Sequence, residues 1–296
     1  CLWCTSWCWP TDLWGTIGNY INRTRWGFSF WFNPLVEINT PGRICLFGEH
    51  QDYLGLPVVA MAISLRAKIV GQKREDQQVI IHKPDISESE KFSLDGLSYT
   101  KQRDYFKSGI NICIREGLVF SNGFECEITS KIPIQAGVGS SSAVMVNWIH
   151  FLTQMADTPV IWNEQKIGEL AYRAEVLEFN EPGGMMDQYT ASMGNMIYLV
   201  SEPTISIKSL NPSLGSFVLG DSCEPKDTMG ILQRCRDARV KIIQKLKEKT
   251  PNFNIHNSED VDLSLLNEEE KNIFRGTIKN RNILRKVLPE LNREAP

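Results

Sequence analysis

The chain has 296 residues, 42% of them hydrophobic and 23% charged, and carries a formal net charge of −3 at pH 7. This length accommodates one large domain or two ordinary ones with a substantial core, and the composition is typical of a globular protein. The acidic balance argues against a protein that binds nucleic acid or an anionic membrane surface. No apolar run is long enough to cross a bilayer, so we expect no membrane association.

The first 34 residues have a composition unlike the rest of the chain. They contain six of the eight tryptophans and three of the eight cysteines, Cys1, Cys4 and Cys8. A signal peptide would show a basic start and a continuous apolar stretch, and the segment has neither. Three cysteines without a fourth ligand nearby do not predict a metal cluster. We interpret residues 1–34 as a fragment boundary or as sequence outside the native reading frame, and we assign them no function.

The remaining cysteines are scattered, and several lie in apolar settings, which is typical of reduced thiols in a cytosolic protein. We therefore expect a cytoplasmic location. These five residues are Cys45, Cys113, Cys126, Cys223 and Cys235.

From residue 36 onward, runs of apolar and β-branched residues predict strands. They fall at 36–40, 43–48, 57–72, 77–83, 123–133, 195–201, 204–210 and 215–222. Pro41-Gly42 predicts a turn between the first two, and a break of the long run 57–72 by a short helix stays open.

Helical spacing or strong helix-forming composition predicts helices between and after these strands. They fall at 101–118, 140–155, 163–180, 226–249 and 267–292. Asn163 is the predicted start of the third helix, and the polar stretch 250–262 is the best candidate for a linker. Helices mixed with mostly antiparallel strands predict an α+β fold.

The stretch KIPIQAGVGSSSAVMV, residues 131–146, predicts an anion site. Gly137 and Gly139 allow a sharp turn and the close approach of a ligand. Three serines then follow as candidate helix N-caps. The unpaired N–H groups and the positive dipole end of a helix N-terminus favour a phosphate. The stretch lacks the lysine of a P-loop and the third glycine of a dinucleotide fingerprint, and an ordinary capped helix after a glycine turn stays an alternative.

A second segment, PGRICLFGEHQDYLG at 41–55, places several polar side chains between glycines. Arg43, Glu49, His50 and Asp52 together can hydrogen-bond several hydroxyls of a polyol. A solvated polar turn is the alternative interpretation, although the glycines that bracket the segment indicate a shaped loop.

A third segment, AEVLEFNEPGGMMDQYTASMG at 174–194, carries two acids separated by a break. Glu175 lies on a predicted helix that the Pro182-Gly183-Gly184 sequence ends. Asp187 follows in an apolar setting and is a candidate general base, with a helix-capping role as the alternative.

Together the three segments resemble the GHMP kinase superfamily, and its galactokinase branch most closely. GRICLFGEHQDYLG is similar to the sugar-binding signature G-R-x-N-L-I-G-E-H-x-D-Y-x-G, and PIQAGVGSSSA to the phosphate loop P-x-x-x-G-x-G-S-S-[SA]-A. The resemblance spans about residues 37–220 with the motifs in family order. It implies a two-domain fold, with a ribosomal protein S5 domain 2-like domain at 35–210 and the start of a C-terminal α/β domain at 211–296.

The resemblance also implies an activity, the ATP-dependent phosphorylation of the anomeric hydroxyl of galactose or a related sugar. Asp187 would be the catalytic aspartate, with Arg43 between it and the transferred phosphoryl group. Ser142 and Glu175 would hold Mg²⁺. The implied substrate-binding residues are Arg43, Glu49, His50, Asp52, Gly184 and Asp187. The implied ATP-binding residues are Pro133, Gly137, Val138, Gly139, Ser140, Ser141, Ser142 and Ala143.

Several positions depart from the family pattern. Cys45, Gln51 and Leu54 stand where Asn, Thr and Asn are common, and the helix GILQRCRDARVKI lacks the usual Tyr-Asn pair. Galactose is therefore the leading substrate, with another hexose, a deoxyhexose or a uronic acid left open and mevalonate less favoured. No third glycine-rich motif follows Gly276, so we expect a truncated second domain, and a catalytically silent or fragmentary binding protein is the alternative. The sequence does not predict an oligomeric state.

Overall fold

The structure, a computed structural model, describes residues 34–220, 228–258 and 261–292. Nearly all of the atypical N-terminal segment therefore lies outside the described residues, as does Cys223. Seven strands are described: β1 (Val36–Phe47), β2 (Val58–Lys73), β3 (Gln78–Lys83), β4 (Glu88–Ser93), β5 (Phe124–Ser130), β6 (Met196–Val200) and β7 (Ser206–Leu210). The α-helices in this part are α1 (Tyr105–Arg115), α2 (Ser140–Met155), α3 (Glu164–Tyr172), α4 (Met186–Met193), α5 (Thr228–Lys249) and α6 (Glu268–Leu291).

The strands form one mixed sheet in the order β4-β3-β5-β2-β6-β7, with β1 paired to β2. Strand β2 is 16 residues long, so it pairs with β1 along most of its length, with β6 near its start and with β5 near its end. Every pairing is antiparallel except that of β3 with β5. The predicted α+β class is confirmed.

Strand β1 corrects one sequence prediction. The chain does not turn at Pro41-Gly42 but continues as one strand, with a register shift against β2 between Pro41 and Arg43. The irregularity accommodates a proline that cannot donate to the ladder. A Cβ on Gly42 would lie 2.9 Å from the carbonyl oxygen of Val138, so the glycine permits close packing of β1 on residues 131–142, which we call the Gly-Ser loop. Strand β2 likewise continues without a helical break.

The observed strands differ from the prediction in two further places. The strand predicted at 215–222 is not formed over residues 215–220, where the side chains of Phe217, Val218 and Leu219 are exposed, and residues 221 and 222 lie outside the described residues. Strand β4 was not predicted, because its charged sequence ESEKFS has little β-propensity and forms only by pairing with β3.

The main core lies between the sheet and helices α1 to α3. Trp148 of α2 is fully buried, stands edge-on to Phe106 and Phe124, and donates from Nε1 to the carbonyl oxygen of Phe106 at 3.0 Å. Burying the ring while satisfying its N–H anchors α2 firmly. Because α2 also contacts β1 and β2, the start of this helix has a defined position over the sheet.

A second core joins α5, α6 and the segment between them. Phe253 and Ile255 are buried there against Phe274 of α6, so the prediction of a linker at 250–262 is wrong. Asn267 caps α6 by accepting from the N–H of Glu270, whose side chain accepts in return. Leu54 and Leu56 pack into the same cluster, so α5 and α6 support residues 48–57 between β1 and β2, which we call the polar loop. The division into domains at residue 210 stays a prediction.

Three smaller observations complete the fold. Asn163 caps α3 as predicted, with its side chain accepting from the N–H of Lys166 at 2.8 Å. No helix in the described ranges is both long and apolar enough to cross a bilayer. The cysteines within those ranges are free, as predicted for Cys45, Cys113, Cys126 and Cys235.

Candidate active site

An ion pair between Arg43 and Asp187 lies at the centre of the site. Nε of Arg43 on β1 donates to Oδ1 of Asp187 on α4 at 2.7 Å, and Nη2 donates to Oδ2. Burial alone would lower the pKa of Arg43, but the adjacent carboxylate of Asp187 raises it above its ordinary value, so the guanidinium stays charged. The two parallel hydrogen bonds fix the orientation of the carboxylate.

The start of α4 positions Asp187. Residues Arg173–Leu177 form a π-helical turn, and Pro182 lies between this turn and α4. Helix α4 begins at Met186, so Asp187 lies in its first turn. The N-cap residue is Met185, whose own side chain makes no capping hydrogen bond. The alternative interpretation of Asp187 as a capping residue is therefore wrong, because its carboxylate faces Arg43 instead.

The polar loop after β1 reaches α4 through Asp52. Oδ2 of Asp52 accepts from the backbone N–H of Met186 at 3.2 Å. A Cβ on Gly184 would lie 1.8 Å from that same oxygen, so only glycine permits the contact. Gln51 is fully buried and braces the loop by donating to the carbonyl oxygen of Pro57 at 2.6 Å. Asp52 and Gly184, both predicted site residues, thus lie side by side next to Asp187.

The loop has an unusual backbone and an acidic character. Gly48 and His50 both adopt positive φ, 88° and 59°, which the tight path of the loop requires. Nε2 of His50 lies 3.9 Å from the carboxylate of Glu49. Burial raises the pKa of Asp52 to about 6, partly opposed by the N–H of Met186. A carboxyl group in this state can either accept or donate a hydrogen bond near neutral pH.

The Gly-Ser loop closes the other side of the Arg43–Asp187 pair. Gly137 and Gly139 have φ of 76° and 72°. Nη1 of Arg43 donates to the carbonyl oxygen of Gly137 at 2.6 Å. The backbone N–H of Arg43 donates to the carbonyl oxygen of Val138 at 3.0 Å. The loop is thereby bound to β1, while Gly137 itself is exposed and accessible to a ligand.

The serines do not cap α2 as predicted. Gly139 is the N-cap residue, and no side chain makes a capping hydrogen bond there. The three serines instead form the first turn of the helix, because the left-handed glycine lets α2 begin one residue earlier. Pro133 is half-buried at the start of the loop, and Ala143 is buried behind it.

Ser142 and Glu175 meet in the interior beside α4. Nε2 of Gln188 donates to Oε2 of Glu175 at 2.7 Å and to Oγ of Ser142 at 3.1 Å. Burial raises the pKa of Glu175, and hydrogen bonds from Ser141, Gln188 and Ser142 oppose this effect. No salt bridge within the described residues involves Glu175.

This donor pair fits Mg²⁺. The cation takes hard oxygen ligands, needs few of them from the protein and receives the rest from phosphates and water. One hydroxyl and one buried carboxylate without a cationic partner in the described residues meet that requirement. No group of three or more His, Cys, Asp and Glu side chains in this part of the chain offers a cage for a metal.

Sequence reasoning missed Gln188. The residue directly follows Asp187, and spacing along one short helix does not reveal which of two neighbouring polar side chains enters a site. Asp187 accepts a hydrogen bond from Arg43. Its neighbour Gln188 donates to Ser142 and Glu175.

Comparison with known families agrees with this geometry. The family model for the GHMP kinases N terminal domain matches residues 104–195, and that for the galactokinase galactose-binding signature matches residues 33–73. The chain belongs to the GHMP kinase family. The matched ranges contain the Gly-Ser loop, the Arg43–Asp187 pair and the polar loop. This chain is therefore a GHMP kinase with galactokinase-like features. Kinases of this family are phosphotransferases with alcohol acceptors, and they use ATP as the co-substrate.

Relatives of this GHMP kinase act on different substrates. Mevalonate kinase from Pyrococcus abyssi is 26% identical over 258 residues, which cover 84% of the chain and 76% of the relative. Galactokinase from Pyrococcus furiosus is 32% identical over 170 residues, which cover 55% of the chain and 46% of the relative. The chain therefore spans about three quarters of the first protein and less than half of the second.

Solved structures show the same fold. Lactococcus lactis galactokinase complexed with galactose superposes with a TM-score of 0.70 at 18% identity, covering 87% of this chain and 71% of that one. Methanococcus jannaschii mevalonate kinase gives a TM-score of 0.55 at 19% identity, covering 88% and 80%. The GHMP kinase fold predicted from the motifs is confirmed, while the substrate is not distinguished by the fold.

Proposed function

We propose that this GHMP kinase transfers the γ-phosphoryl group of ATP to the anomeric hydroxyl of galactose or a closely related neutral sugar. The observation that carries the proposal is the position of the Arg43–Asp187 pair between two loops. Arg43 binds the carbonyl oxygen of Gly137 on the phosphate-loop side, and Asp187 lies next to Asp52 on the substrate-loop side. A hydroxyl held by the polar loop would thus meet a phosphate held by the Gly-Ser loop.

The charge of the polar loop favours a neutral polyol. The carboxylate of Asp52 interacts electrostatically with those of Glu49 and Asp187, and the guanidinium of Arg43 is already paired with Asp187. Carboxylates accept hydrogen bonds from sugar hydroxyls but repel a substrate that carries its own carboxylate. The match to the galactose-binding signature supports the same choice.

The reaction assigns separate roles to the residues of the pair. Asp187 accepts the proton of the attacking hydroxyl, a contribution of roughly 10²–10⁴-fold for a general base. Arg43 stabilises the charge of the phosphoryl group in transfer, and the N–H groups at the start of α2 bind the phosphates. Ser142 and Glu175 would hold Mg²⁺, which neutralises phosphate charge when bound. Glu49, His50 and Asp52 hold the sugar.

Mevalonate is the second candidate substrate. The mevalonate kinases match a larger share of the chain than the galactokinases do, as the P. abyssi protein shows with 84% against 55% for the P. furiosus galactokinase. The acidic loop argues against it, because mevalonate carries a carboxylate. The two candidates therefore make opposite predictions about substrate charge.

The test is ADP release from Mg-ATP with galactose, glucose, N-acetylgalactosamine, galacturonate and mevalonate as acceptors. We expect turnover with a neutral sugar and much less with either acid. Preference for mevalonate would replace the sugar assignment. Release with none of the acceptors, from protein whose melting temperature still rises with Mg-ATP, would instead indicate a catalytically silent nucleotide-binding protein.

A further inference from the structure

Gln188 is a buried polar residue to which no role has yet been assigned. Its side chain is 2% exposed, on the face of α4 that packs toward α2. Both hydrogens of its amide nitrogen are used, one toward Oε2 of Glu175 at 2.7 Å and one toward Oγ of Ser142 at 3.1 Å. A single nitrogen atom thus fixes the positions of the two oxygens that fit Mg²⁺.

The other end of the amide is informative as well. Oε1 of Gln188 is buried and has no hydrogen-bond donor among the described residues. A buried amide oxygen without a donor destabilises a fold, so a purely structural role would be served better by an apolar side chain. A donor from outside the chain, such as water on a hydrated cation, would satisfy it.

We propose that Gln188 is a positioning residue for the divalent cation that accompanies the nucleotide. Its amide holds Ser142 and Glu175 as a preformed pair of oxygen donors, and thereby limits the ways in which the buried carboxylate can turn. This inference rests on the proposed function, since it takes the Gly-Ser loop as the nucleotide site. Outer-shell partners of this kind commonly contribute 10–100-fold to metal affinity.

The alternative is a purely structural role, in which the hydrogen bonds of Gln188 only hold α4 against Ser142 and Glu175. Thr190 offers a matched control, because it is fully buried on the same helix and donates from Oγ1 to the carbonyl oxygen of Met186 at 2.7 Å. Thr190→Val removes one buried hydrogen bond from α4 without touching Ser142 or Glu175. Gln188→Met keeps the approximate length of the side chain and removes both donors.

The experiment measures binding of ATP by calorimetry, once with Mn²⁺ and once in EDTA, to the 296-residue chain and its variants. We expect Gln188→Met to weaken Mn²⁺-ATP binding about 10–100-fold while binding of metal-free ATP changes less than about twofold. Thr190→Val should leave both unchanged. If Gln188→Met does not fold, Gln188→Asn, whose shorter amide cannot bridge both oxygens, replaces it with the same expectation.

Two results would overturn the inference while leaving the proposed function intact. One is unchanged Mn²⁺ dependence in the variant, and the other is an equal loss of affinity for both forms of ATP. If the unsubstituted protein binds neither form, the nucleotide site itself is wrong and the inference fails with it. Electron paramagnetic resonance of the bound Mn²⁺ gives a second readout, since loss of the Glu175 ligand alters the spectrum without any turnover.

Discussion

Gly184 lies against the carboxylate of Asp52 with no room for a side chain between them. The distance from an ideal Cβ on Gly184 to Oδ2 of Asp52 would be 1.8 Å, and to Cγ 2.1 Å. The contact joins the polar loop after β1 to the start of α4, because the same oxygen accepts from the N–H of Met186. The position of the polar loop therefore depends on a residue 132 positions away in sequence.

Gly184→Ala should displace Asp52 and weaken sugar binding. Loss of a hydrogen bond to a charged group corresponds to roughly tenfold or more in the KM for the sugar, while the KM for ATP should change little. Gly183→Ala is the matched control, because its Cβ would meet Val176 at 3.5 Å, an ordinary contact. Steady-state kinetics of both variants make the comparison. Equal effects of the two substitutions would contradict a specific contact with Asp52.

Asp187→Asn should abolish most of the turnover and leave nucleotide binding near normal. The amide keeps the shape of the carboxylate but cannot accept the proton, so kcat should fall at least about 10²–10⁴-fold. Calorimetric titration with Mg-ATP measures the binding. A comparable loss of ATP affinity would contradict the role of Asp187 as a base, and would indicate that the Arg43–Asp187 pair mainly shapes the Gly-Ser loop.

The local motifs were predictable because each carries its own chemistry. Glycines at Gly137 and Gly139 require a turn, and a helix after them requires exposed N–H groups, whatever the rest of the fold. Acids and an arginine between glycines likewise predict a polar site. The contact of Asp52 with Gly184 was not predictable, since it depends on how β1 and α4 meet in the folded chain.

The errors share a physical cause. Pro41-Gly42 has the composition of a turn, but its place beside Val138 makes it a closely packed part of β1. The stretch 250–262 is polar overall, yet its few apolar residues fill a core whose other side is α6. In both cases tertiary packing overrides local propensity. Periodicity also does not distinguish Gln188 from Asp187, because both are polar and both face inward.

Asn280 of α6 connects the second core to the polar loop. Its Nδ2 donates to the carbonyl oxygen of Glu49 at 3.0 Å. Asn280→Ala should raise the KM for the sugar about threefold, with kcat nearly unchanged, because one exposed hydrogen bond of this kind contributes modestly. Lys279→Ala, at an exposed neighbouring position, should have no effect on the KM. Unchanged sugar kinetics in both variants would show that α6 does not position the loop.

The raised pKa of Asp52 predicts how stability depends on pH. In the folded chain the pKa is about 6, above the value of about 3.9 for an exposed aspartate, so the folded state holds a proton that the unfolded state releases. The resulting stabilisation is fully present below about pH 4 and is lost as the pH rises through 6. A charged Asp52 therefore costs stability at neutral pH, up to about 3 kcal/mol from the size of the shift.

Asp52→Asn removes this dependence and should gain stability relative to the unsubstituted chain as the pH rises from 5 to 7.5. Urea denaturation at several pH values measures the difference in the free energy of unfolding between the two proteins. Glu75→Gln, at an exposed position after β2, controls for the change in net charge and should show no such trend. A difference that stays constant with pH would mean that Asp52 titrates alike in the folded and unfolded chains, and that its burial beside Gly184 does not perturb it.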